Sequence, residues 1–176
     1  MKDLLEKRAL FYYKNKKYVE AIECYKHLIK DGNNSADIYL ALAACYYYAE
    51  NYEKAILTLN KILLLDNTGV FSEYACAWKA MCLMMLKKYD ESYKVWKKLE
   101  NAGEDIRDEN YYFCGASCCN SLGRYEEALE YINKSIFLKK TDFYNFFLKG
   151  TILNNLGRTK EALKMFEKAG MAKSSE

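Results

Sequence analysis

The chain has 176 residues, 51% hydrophobic and 29% charged, which excludes a disordered or membrane-spanning class. Its 27 basic and 24 acidic residues leave a net charge of +3, too balanced to demand nucleic acid or an anionic membrane as partner. There is no proline and only eight glycines, which favours long uninterrupted helices.

The punctuation at Asp31-Gly32-Asn33-Asn34-Ser35, Asp66-Asn67-Thr68-Gly69 and Asn101-Ala102-Gly103 separates helical segments. In chain order the expected helices cover 2–15, 18–30, 36–49, 52–64, 72–87, 89–101, 108–121, 125–138, 142–155 and 159–171. They are expected to pair as five antiparallel hairpins. The register comes from a duplicated turn, Asn120-Ser121-Leu122-Gly123-Arg124 and Asn154-Asn155-Leu156-Gly157-Arg158, 34 residues apart. Upstream, Tyr18 with Ala21, Tyr52 with Ala55, Tyr89 with Ser92 and Tyr125 with Ala128 repeat one pattern, and Thr159 with Ala162 closes it at spacings of 34, 37, 36 and 34. Nine places before each landmark stands a small residue: Ala9, Ala43, Ala80, Ala116 and Gly150. Three places after that comes a larger one: Tyr12, Tyr46, Leu83, Cys119 and Leu153. Small residues at matched places let two helix backbones approach, and the larger side chain fills the space beside the crossing.

This pattern resembles the tetratricopeptide repeat, and the resemblance covers essentially the whole chain. It reads Tyr39, Leu42-Ala43, Tyr46, Tyr52, Ala55, Leu59 in the second repeat and Tyr112, Gly115-Ala116, Cys119, Tyr125, Ala128, Ile132 in the fourth. The family's usual proline between repeats is replaced by Asn33, Asn67, Glu104 and Lys140, and the later small residue is enlarged to Leu28, Ile62 and Leu99. The resemblance implies an all-α, right-handed α-solenoid of five such repeats, near 2–35, 36–69, 73–106, 109–142 and 143–176, forming a single domain over 1–176. The helix over 52–64 reads as apolar nearly all round and is expected to be sandwiched. Ala162, Leu163, Phe166 and Ala169 are expected to form the apolar stripe of a last helix that caps the stack.

In this family the first helix of each repeat lines the concave side. Carried onto this sequence, that side offers Tyr47, Tyr48, Tyr74, Met81 and Met84, large adaptable side chains that bury area well, and Phe113 and Phe147 beside them. It also offers Asn120, Asn154 and Asn155, whose amides can pair with the backbone of an extended peptide. The expectation is a non-enzymatic protein-interaction module that takes an extended peptide or helix of a partner protein along these residues. The plainer alternative for each of them is packing across neighbouring repeats, since 17 of the 176 residues are tyrosine. Some family members clamp acidic C-terminal peptides with basic residues and asparagine. The corresponding places here hold Glu6, Leu10, Ala44, Ala77 and Met81, so that site is not carried over.

No cofactor, metal or catalytic residue is expected. Cys114, Cys118 and Cys119 lie close together but lack Cys-x-x-Cys or Cys/His spacing, and His27 is the only histidine. A phosphate loop and a nucleophile elbow are both missing. The lysines at 87, 88, 94, 97 and 98 are interleaved with Asp90, Glu91 and Glu100, which weighs against RNA, a distant alternative. The nearer alternative is a structural scaffold that acts through self-assembly or its outer surface. The chain is expected to be a monomer or a weak end-to-end oligomer, away from membranes, because its longest aliphatic run, Ile62–Leu65, is far too short to span one. Seven cysteines, an odd number, and an opening Met1–Arg8 without an apolar signal core place it in the reducing cytoplasm.

Overall fold

The computed structural model describes residues 2–65, 69–103, 106–139 and 142–173, with side chains described from 3 to 171. Among them all regular structure is helical: α1 (Lys2–Lys14), α2 (Tyr18–Lys30), α3 (Ala36–Tyr48), α4 (Tyr52–Leu65), α5 (Val70–Met85), α6 (Tyr89–Lys97), α7 (Glu109–Ser121), α8 (Tyr125–Leu138), α9 (Phe143–Asn155) and α10 (Thr159–Lys173). The junction residues Asp66, Asn67, Thr68, Glu104 and Lys140 lie outside the described residues. The helices gather into two compact units, 1–87 with α1 to α5 and 88–176 with α6 to α10.

Helix ends follow the expected register, with one exception. The segment starting at Tyr89 is expected to stay α-helical to residue 101, yet α6 closes at Lys97. Beyond it the backbone tightens to three-residue bonds, Leu99 N–H to Trp96 O at 2.9 Å and Ala102 N–H to Leu99 O at 3.0 Å. A three-residue turn stacks side chains at i and i+3 on one side. Here it places Trp96, Leu99 and Ala102 together in the core of the second unit.

Every turn from a first helix to a second ends on a left-handed residue: Lys16, Glu50 and Lys87 at φ near +58°, and Gly123 and Gly157 at +74°. At four of the five, all but the Lys87 corner, the bonding is that of a Schellman closure. Gly123 N–H donates to Asn120 O at 3.2 Å and Arg124 N–H to Cys119 O at 2.8 Å, and Lys16 and Lys17 repeat this with Tyr13 and Tyr12. The duplicated glycine of the sequence therefore marks a position that needs positive φ, and three of the five corners fill it with a side chain that pays for it in strain. The arginine after the glycine pairs with a first-turn glutamate, Arg124 with Glu127 and Arg158 with Glu161, each at 2.7 Å. This offsets helix starts that have no side-chain cap at Arg124. Elsewhere Asp108 Oδ1 accepts from Tyr111 N–H at 2.9 Å and Asp142 Oδ1 from Tyr144 N–H at 2.8 Å, ordinary N-caps.

The landmark residues form the core. In the first unit Ala9, Ala21, Leu28, Leu42 and Cys45 make one buried cluster, and Ala43, Ala55, Leu59, Ile62 and Ala75 another. In the second, Ala116, Ala128, Cys119, Ile132 and Ile152 do the same between α7, α8 and α9. The enlarged Leu28, Ile62 and Leu99 are all buried. Close approach is tightest at Gly115, against which the Trp96 indole lies, and at Gly150, which receives the Phe166 ring.

Two packing expectations fail. Helix α4 is not sandwiched: Ala55, Thr58, Leu59 and Ile62 face inward, but Leu57, Leu64 and Leu65 are exposed, Leu64 at 87%. Within its unit α4 meets α3 and α5, and that leaves one side open. On α10, Ala162 and Ala169 are buried and Phe166 packs toward Gly150, while Leu163 is exposed.

Candidate functional site

The sequence-predicted residues fall in two groups. Tyr47, Tyr48, Tyr74, Met81 and Met84 belong to the first unit, on α3 and α5; Phe113, Asn120, Phe147, Asn154 and Asn155 belong to the second, on α7 and α9.

In the first unit Tyr47 and Tyr48 enter a continuous aromatic cluster at the helix corners. Tyr48 stacks on Tyr18 at 5.3 Å between centroids and meets Tyr13 edge-on at 5.9 Å. Tyr47 contacts Tyr52 at 5.5 Å and Trp78 at 5.3 Å. Such offset and edge contacts each add about 0.5–1.5 kcal/mol beyond area burial. Burial of the Tyr13 ring, reinforced by Tyr48, pushes its hydroxyl pKa up to about 12. The two predicted tyrosines are therefore structural as well as surface-forming, although Tyr48 keeps 46% exposure. Tyr74, Met81 and Met84 are half-buried along α5. Trp78 is the member that sequence reasoning missed. It stands four places after Tyr74 and three before Met81, so helical spacing alone put it on the same face.

In the second unit the structure joins two of the predicted amides. Asn155 Nδ2 donates to Asn120 Oδ1 at 2.9 Å, bridging α9 and α7. Each amide carries two donors and a carbonyl with two lone pairs, so this bond leaves pairing capacity on both. Asn154 is exposed beside them. Phe147 stacks on Phe143 at 5.8 Å and meets Phe166 at 5.6 Å, yet remains 52% exposed. Phe113 packs against the core and lines a small cavity of about 160 Å³ with Asn110, Tyr144 and Asn145. Beneath this surface, Ser135 Oγ on α8 lies 2.9 Å from both Glu109 O and Asn145 Oδ1 and ties α7, α8 and α9 together.

The cysteines are all free thiols, and six of the seven are buried. Burial pushes Cys45, Cys82 and Cys119 up to about 12, which keeps them neutral. Cys114 and Cys118, one turn apart on α7, act as a pair. A hydrogen bond between them raises Cys114 and lowers Cys118, and Ser92 Oγ sits 3.2 Å from Cys118 Sγ. Among the described residues no group of three or more His, Cys, Asp or Glu is placed to hold a metal ion, and no helix is long and apolar enough to cross a membrane.

Paired helices closed by left-handed corners, with small residues at their crossings, define a helical-repeat protein. Family models described as tetratricopeptide repeat match residues 12–75 and, further on, 110–142 and 144–169. The chain belongs to the tetratricopeptide repeat family, a fold of protein-interaction modules. A TPR repeat-containing protein of Methanocaldococcus jannaschii is 28% identical over 127 residues, which is 72% of this chain and 21% of that protein. The chain thus spans about a fifth of that relative's length. Among solved structures, MamA from Desulfovibrio magneticus RS-1 superposes with a TM-score of 0.83 at 16% identity, covering 99% of this chain and 96% of that one. A second MamA structure gives 0.76 at 20% identity over 98% and 92%. At such identities the likeness is one of fold.

Proposed function

We propose that this protein is a non-enzymatic docking module that receives an extended peptide segment of a partner protein on its first helices. The observation that carries the reading is the amide pair Asn120–Asn155 on α7 and α9, with Asn154 exposed next to it and the half-exposed Phe147 on the same helix. The remaining amide donors and acceptors would bind a peptide's carbonyls and N–H groups and fix its register. Phe147 and Phe113 would take its side chains. In the first unit Tyr48, Tyr74, Met81 and Met84 would offer contact area, with Tyr47 and Trp78 holding the Tyr48 ring in place. Free buried thiols support a reducing, cytoplasmic setting.

The test is a partner pull-down from the source cell with the intact chain and with Asn120→Ala combined with Asn154→Ala and Asn155→Ala. The reading expects the partners held by the unaltered chain to be lost from the triple variant at equal folded concentration. Retention of all of them sinks it.

A second reading, self-assembly, is favoured by exposed Leu57, Leu64 and Leu65 on α4. Light scattering that reports a strict monomer across the micromolar range removes it.

A further inference from the structure

The cavity of about 160 Å³ between the starts of α7 and α9 has a one-sided polar lining. Glu109, Asn110 and Phe113 line it from α7, and Asp142, Tyr144 and Asn145 from the start of α9, giving two carboxylates and no cation. Both helix starts already have their negative partner. Asp108 Oδ1 caps α7, and Asp142 Oδ1 caps α9 while its Oδ2 pairs with Lys139 Nζ at 3.0 Å. Glu109 is therefore surplus. It makes no ion pair among the described residues, although Arg107 and Lys134 line the larger cavity on its other side.

Asn145 supplies a second unmet acceptor. The residue is 3% exposed. One end of its amide meets Ser135 Oγ at 2.9 Å, and the other end has no hydrogen-bond partner among the described residues. Ser135 decides which end is which. Its hydroxyl has one proton, and Glu109 O, also at 2.9 Å, can only accept it. The amide atom beside Ser135 Oγ must then donate, so it is the nitrogen. A half-turn about the last side-chain torsion exchanges the Oδ1 and Nδ2 places without changing the shape of the group. The amide oxygen is left as the unpartnered end. It is not sealed in protein, because among the described residues the sealed and unpartnered side-chain atom is Arg107 Nε. It opens on the cavity that Asn145 lines.

A carboxylate and a carbonyl oxygen thus share this space with the rings of Phe113 and Tyr144, the latter 67% exposed. The two oxygens take the N–H groups of an ammonium, and aromatic faces attract a cation. The volume is that of about five waters at about 30 Å³ each, which matches the five heavy atoms of a lysine side chain.

We infer that this cavity takes a lysine side chain of the segment docked on α7 and α9. The inference rests on that docking and gives the segment a chemistry. The ammonium donates to Glu109 and to the Asn145 amide oxygen, and the aliphatic stem lies against Phe113 and Tyr144.

The test follows the side-chain amide signals of Asn110 and Asn145 by NMR in the full nitrogen-15-labelled chain, at constant ionic strength. The probe is Nα-acetyl-lysine methylamide. Saturable shifts are expected with a dissociation constant in the millimolar range, at least tenfold weaker for the same compound acetylated on Nζ. Glu109→Gln should weaken the lysine probe about tenfold with an unchanged urea midpoint, and Tyr144→Ala, at a largely exposed ring, should weaken it severalfold. Equal binding of the two compounds overturns the proposal. So does lysine binding untouched by Glu109→Gln, or no saturation by about 100 mM. The chain with Asn120→Ala, Asn154→Ala and Asn155→Ala should bind the probe as the unaltered chain does. A cavity that fails shows no probe shifts while partners are still held. A docking face that fails leaves the probe shifts in place while partners ignore the amide substitutions.

Discussion

Gly115→Ala is the substitution whose outcome the packing dictates most sharply. A Cβ at this position would lie 2.3 Å from Trp96 Cζ2, 2.6 Å from Cε2 and 2.8 Å from Cη2. Ordinary carbon contacts begin near 3.5 Å, so the indole must retreat by about 1 Å. It has little room to do so. Trp96 is 1% exposed, its Nε1 donates to Tyr111 O at 2.9 Å, and Tyr111 and Tyr131 hold it at 5.0 Å and 4.7 Å. Alanine gains about 1 kcal/mol in helix propensity. Against this stand about 1–3 kcal/mol of overpacking and, if the indole bond breaks, a further 1–3 kcal/mol for an orphaned buried pair. A net loss of about 2 kcal/mol is expected, read as a lower urea midpoint by circular dichroism together with a red shift of tryptophan emission. In a Trp96→Phe background the same change should cost less by at least about 0.5 kcal/mol, the coupling expected of touching residues. A Gly115→Ala protein as stable as the parent, or strict additivity with Trp96→Phe, refutes the reasoning.

Three further outcomes follow from the same geometry. At the corners, Lys16→Gly and Glu50→Gly should each raise stability by about 0.5–1 kcal/mol, the strain relieved less the entropy that glycine adds, while Gly157→Ala lowers it by about 1 kcal/mol; equal midpoints across the set contradict this. Ser135→Ala leaves Asn145 without its buried partner and should cost about 1–3 kcal/mol in urea unfolding. Alkaline pH should destabilise the fold. Cys45, Cys82 and Cys119 are held neutral with pKa values near 12, so the stability they contribute is complete below the unfolded thiol value of about 8.5 and is lost as pH rises toward 12. On the order of 1 kcal/mol per thiol is expected to be gone by pH 9.5, and a urea midpoint constant from pH 8 to 10 argues against it.

Much of this fold could be read before any coordinates, because its information is periodic. Ala9, Ala43, Ala80 and Ala116 recur at one place in each repeat, and a small residue at a helix crossing leaves few other packings. What escaped is what period does not encode. The close of α6 at Lys97 depends on aligning Trp96, Leu99 and Ala102, a three-residue spacing invisible to a search at 3.6. The exposure of Leu64 depends on which neighbours α4 has, not on its own composition. At the candidate site, placing Asn120 and Asn155 on first helices was a matter of register, but their mutual bond required distances. The aromatic cluster shows the other limit. Tyr18 and Tyr52 read as hairpin landmarks and Tyr47 and Tyr48 as surface, yet all four rings interlock because helix corners bring both sets together.

The central claim, that the amides of α7 and α9 receive a partner's backbone, is tested most directly by calorimetric titration of a segment of a recovered partner into two proteins. One is the unaltered chain and the other carries Asn120→Ala, Asn154→Ala and Asn155→Ala, with matched urea midpoints to establish equal folding. The account predicts affinity at least tenfold weaker for the variant, about 1.4 kcal/mol, as expected from losing one or more amide–backbone bonds. An unchanged dissociation constant with both proteins folded contradicts it.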